Sequence, residues 1–256
     1  MRSCHRPPRS HRVDAGHKGH RAGVPSSPHP STARYGLHMT AAAALALGLT
    51  ACSGGGAEVQ GDADQLHEAQ LLQFQDVTQI SEGGESGTYS ELTTVQYSAE
   101  IRDGTELDKP ECVDATNRWG DLDMVQDAPT SVATYEWEEG AVTSLLVQLP
   151  PEEASEALDQ PPPEDCSEYT ATYEDGTSSD YDVGELDLQD VGDESRAHSI
   201  DVETDGELSS MISVLYRNDG VLGTTSVIGD GDPAEYEEML VEFTEAAIDR
   251  QNQTLE

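Results

Sequence analysis

From Val132 to Ile228 apolar and polar positions alternate with a period of two, and turn residues interrupt the alternation at short intervals. That is the pattern of half-buried strands. Ser131–Trp137 and Ala141–Leu149 are predicted strands flanking Glu138-Glu139-Gly140, where glycine can supply the left-handed residue of a hairpin loop. Pro150 and Pro151 end the second strand, and Glu152–Leu158 reads as one or two helical turns. Pro161-Pro162-Pro163 forces extended backbone and delivers Cys166 to a strand in which Tyr169, Ala171 and Tyr173 alternate. Further strands are predicted at 181–188 and 197–204, the second followed by Asp205-Gly206. Met211–Tyr216 and Val221–Ile228 flank Arg217-Asn218-Asp219-Gly220, another hairpin signal. Short turns between neighbouring strands require antiparallel pairing, because a parallel pair needs a long crossover.

A helical period appears on either side of this region. Asp62-Ala63-Asp64-Gln65 has the form of a capping box, and Leu66, Ala69, Leu72, Phe74 and Val77 extend a stripe that predicts a helix to about Gln79. Ser81–Ser90 is a polar break, and Val95–Ile101 alternates as a strand does. Cys112, Ala115 and Trp119 fall three and seven apart, which places thiol and indole on one face of a short helix. At the other end Asp232 caps, Pro233 takes the first helical position and Glu235 completes the box. Tyr236, Met239, Leu240, Phe243 and Ala247 then line one face to about Arg250. The predicted fold class is α+β: a meander-rich antiparallel β-sheet with helices packed on one face.

The first 38 residues are rich in His, Arg, Pro and Ser and carry no periodicity; an apolar run from Met39 to Leu49 follows. A basic head before an apolar run is what a signal sequence needs. The run ends in Leu49-Thr50-Ala51-Cys52, and Ser53-Gly54-Gly55-Gly56 comes next. This order resembles the lipobox of bacterial lipoproteins. The resemblance implies cleavage before Cys52, a diacylglyceryl group on its sulfur, and palmitate-type acylation. Residues 1–51 are then an N-terminal extension and lipoprotein signal peptide, 52–61 a flexible glycine-rich tether, and 62–256 a single extracytoplasmic domain. Two acyl chains suffice for a stable anchor, and the expected location is the outer face of the cell membrane. Nothing after Cys52 is apolar for long enough to span a bilayer.

Charge changes at the same place. Of 13 Lys and Arg and 51 Asp and Glu, seven bases and one acid precede Cys52, leaving six bases against 50 acids. So acidic a domain is repelled by nucleic acid and by anionic lipid. It suits either a solubilised surface or a saline environment, where screening makes the repulsion tolerable. Among the cysteines, Cys4 lies in the removed head and Cys52 is the lipidation site. Cys112 and Cys166 are left as a disulfide pair in an oxidising compartment, or as two free thiols.

Candidate chemistry is sparse. His5, His11, His17 and His20 beside Cys4 precede the cleavage point and do not belong to the mature chain, which keeps only His67 and His198. A Ser-His-Asp arrangement using His198 would make a cell-envelope hydrolase, since triads assemble in space, but no Gly-x-Ser-x-Gly elbow occurs. Gly229-Asp230-Gly231-Asp232-Pro233 offers Asp230 and Asp232 as hard-cation ligands for a Ca²⁺-dependent adhesion or assembly module, without the spacing of an EF-hand. No dinucleotide or P-loop glycine pattern is present, and no cofactor is expected.

Val147-Gln148-Leu149-Pro150-Pro151-Glu152-Glu153-Ala154, Cys166 opening a strand, Gly192-Asp193-Glu194-Ser195-Arg196-Ala197, a hairpin and a terminal helix follow in that order. The succession resembles extracellular sensor-type domains of actinobacterial lipoproteins and the outer domain of PknH-like serine/threonine kinases, over residues 62–251. The resemblance implies a disulfide-stapled sheet flanked by helices, with a groove for an unidentified ligand. The chain departs from the kinase type in having one available disulfide where two are expected. The expected function is a non-catalytic, membrane-anchored lipoprotein that binds a ligand or protein partner at the cell surface.

Overall fold

The computed structural model describes residues 54–255, apart from 76, 81–82, 138–139 and 230–232. Cys52, Asp230 and Asp232 lie outside the described residues. The alternation between Val132 and Ile228 becomes strands that include β5 (Pro129–Trp137), β6 (Gly140–Gln148), β9 (Glu194–Thr204), β10 (Glu207–Asn218) and β11 (Val221–Gly229). With β7 (Glu168–Thr172), β8 (Ser178–Leu186) and the short β1 (Gln73–Phe74), β2 (Val77–Gln79), β3 (Glu85–Thr88) and β4 (Glu106–Leu107), they form one antiparallel sheet. Its order is β1-β2-β5-β6-β11-β10-β9-β8-β7-β4, with β3 also paired to β5.

Hairpins link β7 to β11 in succession. The β9–β10 turn is Asp205-Gly206, with φ of 54° and 84°. Two consecutive left-handed residues match the twist of a hairpin, and Asp-Gly accepts that geometry at little cost. The meander ends by pairing β11 with β6, from Val221 opposite Gln148 to Gly229 opposite Gly140.

Three helices complete the architecture with α2 and α3: α1 (Gly54–Glu68), α4 (Pro151–Leu158) and α5 (Pro233–Thr254); α2 is Thr93–Asp103 and α3 Asp123–Gln126. Period two decides which sheet face each strand residue joins. Tyr135, Val142, Leu146, Ile212, Val214, Tyr216 and Val227 pack with Leu66 of α1 and with Tyr236, Leu240, Phe243 and Ala247 of α5. Phe243 meets Phe74 and Tyr135 edge-on, with centroids 5.6 and 5.0 Å apart. On the opposite face Val147, Leu215 and Leu222 pack with Ala154, Ala157 and Leu158 of α4 and with Trp119 and Val125. The helices therefore cover both faces rather than one. The reason is visible in β6, where Val142 and Leu146 face one way, and Val147 the other, all fully buried.

Other expectations near the N-terminus are corrected. The segment expected as flexible tether is helical from Gly54 onward. Its helix is anchored by Ala63 and Leu66, both buried, and Asp62 lies within it and is not a cap. The helix ends at Glu68 rather than Gln79. Leu72, 73% exposed, and Phe74 belong to the β1–β2 hairpin, where Gln75 turns the chain with φ of 51°.

Val95–Ile101 is helical, within α2. Tyr97 and Ile101 are exposed, so their alternation served no sheet face. The helix is fixed instead from a distance: the Glu85 carboxylate accepts from the Thr93 and Thr94 amides at 2.6 and 3.0 Å. Two of the orphan donors of a helix start are satisfied in this way. Cys112 and Trp119 do not share an interior. Cys112 packs with Ala115 and Cys166, whereas Trp119 joins α4, because two separate 3₁₀ turns, Pro110–Asp114 and Trp119–Asp121, replace one helix.

Candidate functional site

Cys112 and Cys166 form a disulfide that spans 54 residues of chain. The bond ties the Pro110–Asp114 turn to the entry of β7. Lys109 reinforces it, donating through Nζ to the carbonyls of Asp165 at 2.9 Å and Glu168 at 2.6 Å. Together they hold residues 105–117 across one end of the sheet, on the face that α4 also covers. The packing there is aromatic: Tyr169 stacks on Tyr181 with centroids 4.7 Å apart, and the Tyr173 and Tyr181 hydroxyls meet at 2.6 Å. Burial pushes the Tyr169 phenol up to about 12.

Beside the disulfide is a cavity of about 470 Å³. Its roof is the loop carrying Pro162, Pro163 and Cys166, and Ala115 closes one side. Its floor comes from adjacent strands, with Val183 and Glu185 on β8 and Arg196 and His198 on β9. Glu185 stands directly opposite His198, and His198 opposite Ser213 of β10, so all three point to the same face. A second space of about 260 Å³ adjoins, reached by His198 and bounded by Arg102, Asp114 and Met211.

His198 is only 8% exposed and has no hydrogen-bond partner among the described residues. Burial, and next the Arg196 charge, hold its imidazole down to about 4; the ring is neutral at neutral pH. Ser213, its cross-strand neighbour, is 2% exposed and shares its hydroxyl with Ser226 at 2.7 Å. A nucleophile needs its hydroxyl bonded to the base and open to substrate, and Ser213 has neither contact. His67 lies elsewhere, its ring nitrogen 3.2 Å from the Ser131 hydroxyl. That contact belongs to a buried network with Gln70 beneath α1.

Arg196 donates through Nη1 to the Gln160 carbonyl at 2.7 Å. Its Nε and Nη2 are buried without a partner. Burial lowers its basicity, and Asp159 and Glu185 counteract this from a distance. On the far side of the disulfide, Arg102 and Asp114 form an ion pair at 2.6 Å. Burial nevertheless pushes the Asp114 carboxyl up to about 6, and neighbouring Asp121 adds to the effect against Arg102.

The sequence had singled out Cys112, Cys166 and His198; Cys166 and His198 line this cavity, and Cys112 is bonded to Cys166 from outside it. It did not single out the Arg196 side chain, although the residue sits inside the Gly192–Ala197 motif. Only its register opposite Leu215 turns it to the cavity face, and that depends on pairing. Among the described residues no cluster of three His, Cys, Asp or Glu side chains could hold a metal ion. No helix among them is long and apolar enough to cross a membrane.

No protein-family profile matches the chain, and no curated protein matches it. Among solved structures it is similar to the X-ray structure of an uncharacterised protein from Mycobacterium smegmatis, the Rv0999 ortholog. The TM-score is 0.42 and the identity 11%, over 75% of this chain and 95% of that one. So slight a likeness carries no functional argument.

Proposed function

We propose that the chain is a non-catalytic, lipid-anchored lipoprotein of the outer face of the cell membrane, whose domain binds a small ligand beside the Cys112–Cys166 disulfide. The observation that carries the binding role is the cavity of about 470 Å³, which combines apolar walls with three charged or polar side chains on its floor, Glu185, Arg196 and His198. Ligand sites have this size and character. The anchor rests on Leu49-Thr50-Ala51-Cys52 and the tether-like composition after it. The likeness of residues 62–251 to sensor-type outer domains belongs to the same reading, supported by an antiparallel sheet, flanking helices and one disulfide. A partner that reads the liganded domain would complete a sensor.

The test is fractionation in a bacterium that processes lipoproteins, followed by native mass spectrometry of the extracted chain. The expected result is a membrane-bound protein with a thioether-linked lipid on Cys52, released to the aqueous fraction by Cys52→Ala. A bound small molecule should be lost when Val183→Trp fills the cavity. An aqueous, unlipidated protein would overturn the anchor, and a bound mass unaffected by Val183→Trp would overturn the site.

A further inference from the structure

We propose that the cavity takes a ligand with a compact apolar body and one carboxylate, held by the side-on fork of Arg196. The inference rests on the binding role proposed above and adds the chemistry of what is bound.

In a guanidinium group the Nε–H and the Nη2–H lie parallel along one edge, spaced to meet the two oxygens of a carboxylate. In Arg196 the opposite corner is already used, since Nη1 donates to the Gln160 carbonyl at 2.7 Å and so fixes the plane of the group. The two atoms left buried and unpartnered are Nε and Nη2, the pair that makes the fork. An orphaned charged donor under a protein surface is costly, and a bidentate anion removes the cost in one step.

None of the described residues supplies that anion. Arg102 and Arg217 each hold a carboxylate, Asp114 at 2.6 Å and Asp193 at 3.0 Å. Around Arg196 no carboxylate of the described residues comes within ion-pair distance, although the chain has 51 acids to 13 bases. Glu185 and Asp159 are near enough to influence the cation but neither bonds to it. Arg196 is one of the residues that line the cavity, and its buried fork meets a ligand there when the side chain turns away from the Gln160 carbonyl, exchanging one neutral acceptor for the two oxygens of a carboxylate.

The remaining walls select the rest of the molecule. Pro162, Pro163, Val183 and Cys166 offer apolar contact, which suits a short hydrocarbon or aromatic body. His198, neutral and without a hydrogen-bond partner among the described residues, can donate to a carboxylate oxygen or accept from a ligand hydroxyl without adding charge. Glu185 sets the charge limit: a dianion such as phosphate would face it at close range, whereas a monoanion is neutralised by Arg196.

The experiment uses the full chain labelled with ¹⁵N and three probes: benzoate, the neutral benzamide, and inorganic phosphate. Titration is followed by the Arg196 Nε–Hε resonance and by calorimetry. The inference expects saturable benzoate binding that shifts this resonance, at least tenfold stronger than benzamide or phosphate. It also expects at least a tenfold loss of affinity in Arg196→Lys, which keeps the charge and lacks the fork. If Arg196→Lys unfolds, the resonance shift in the unsubstituted chain decides alone. Equal affinity for benzamide overturns the carboxylate and leaves the binding role standing. Tighter binding of phosphate overturns the monoanion. Benzoate that leaves the resonance unmoved, or fails to bind, overturns the fork, while the bound mass sought in the preceding test still decides the binding role.

Discussion

The Nε2 of Gln251, in the last turns of α5, donates to the hydroxyl of Tyr216 on β10 at 2.8 Å, with both residues buried. The Gln251 Oε1 is already without a partner. Removing the phenol oxygen would leave the whole amide unsatisfied. Tyr216→Phe should cost about 1–3 kcal/mol, the range for an orphaned buried donor. Tyr216→Phe with Gln251→Leu should cost less than the two changes added together. Urea unfolding of the four proteins checks the coupling, and simple additivity would contradict it.

The Cys112–Cys166 bond closes a loop of 54 residues. On the chain-entropy account such a bond stabilises by roughly 4 kcal/mol, and losses of about 2–5 kcal/mol are typical. Cys112→Ala with Cys166→Ala should fall in that range and should abolish probe binding in the adjoining cavity. Thermal melts with and without reductant measure the first effect. An unchanged melting temperature would show that Lys109 and the β4–β7 pairing suffice to hold the crossing segment.

Two buried groups pull the pH dependence in opposite directions. His198 is held at about 4, so between about 4 and its ordinary 6.5 the unfolded chain takes up a proton that the folded chain refuses. Stability therefore falls as pH drops through that window. Asp114 is raised to about 6, so between its ordinary 3.8 and about 6 the folded chain keeps a proton that the unfolded chain releases. That contribution is lost as pH rises. Relative to the unsubstituted chain, His198→Gln should gain stability as pH falls from 6.5 to 4. Asp114→Asn should gain it as pH rises over 4 to 6. The ceiling on each slope is about 1.4 kcal/mol per pH unit. Denaturant midpoints at half-unit steps decide the matter, and parallel curves for the two variants would refute it.

Acids also oppose one another across the sheet. Asp182 stands opposite both Asp201 and Glu168, and Asp180 opposite Glu203. Like charges directly across a strand pair destabilise, and salt shortens the range of their repulsion to about 3 Å at 1 M. The melting temperature should rise between low and molar salt. Asp182→Asn should add about 0.5–1 kcal/mol at low salt and flatten the salt response. A melt insensitive to salt would argue that the surplus acid serves solubility alone.

What was legible in the sequence was what local pattern determines. The strands from Pro129 to Gly229, their turns at Asp205-Gly206 and Asp219-Gly220, and α5 announce themselves through alternation and turn residues. The misreadings fall where a distant residue decides. Val95–Ile101 has a strand's alternation, yet Glu85 caps it as a helix. Leu72 and Phe74 continue a helical stripe, yet β2 pairs Thr78 and Gln79 with β5 and bends them away. The cavity was legible only in part: Cys112, Cys166 and His198 stand out by rarity, whereas an arginine with a free fork is recognisable only once its neighbours are placed.

The pairing of β11 with β6 sets an order of events in time. Strands β5 and β6 form one hairpin early in the chain, β7 to β10 form a separate run, and β11 is the strand that joins the two blocks. Until Val221–Gly229 is available, β6 presents a full-length open edge, with Val142, Leu146 and Val147 uncovered by the strand that will shield them. Such edges recruit other chains. The protein thus passes through most of its synthesis as two incomplete half-sheets. A chain cut short before Val221 should aggregate rather than fold as a smaller version of the same domain.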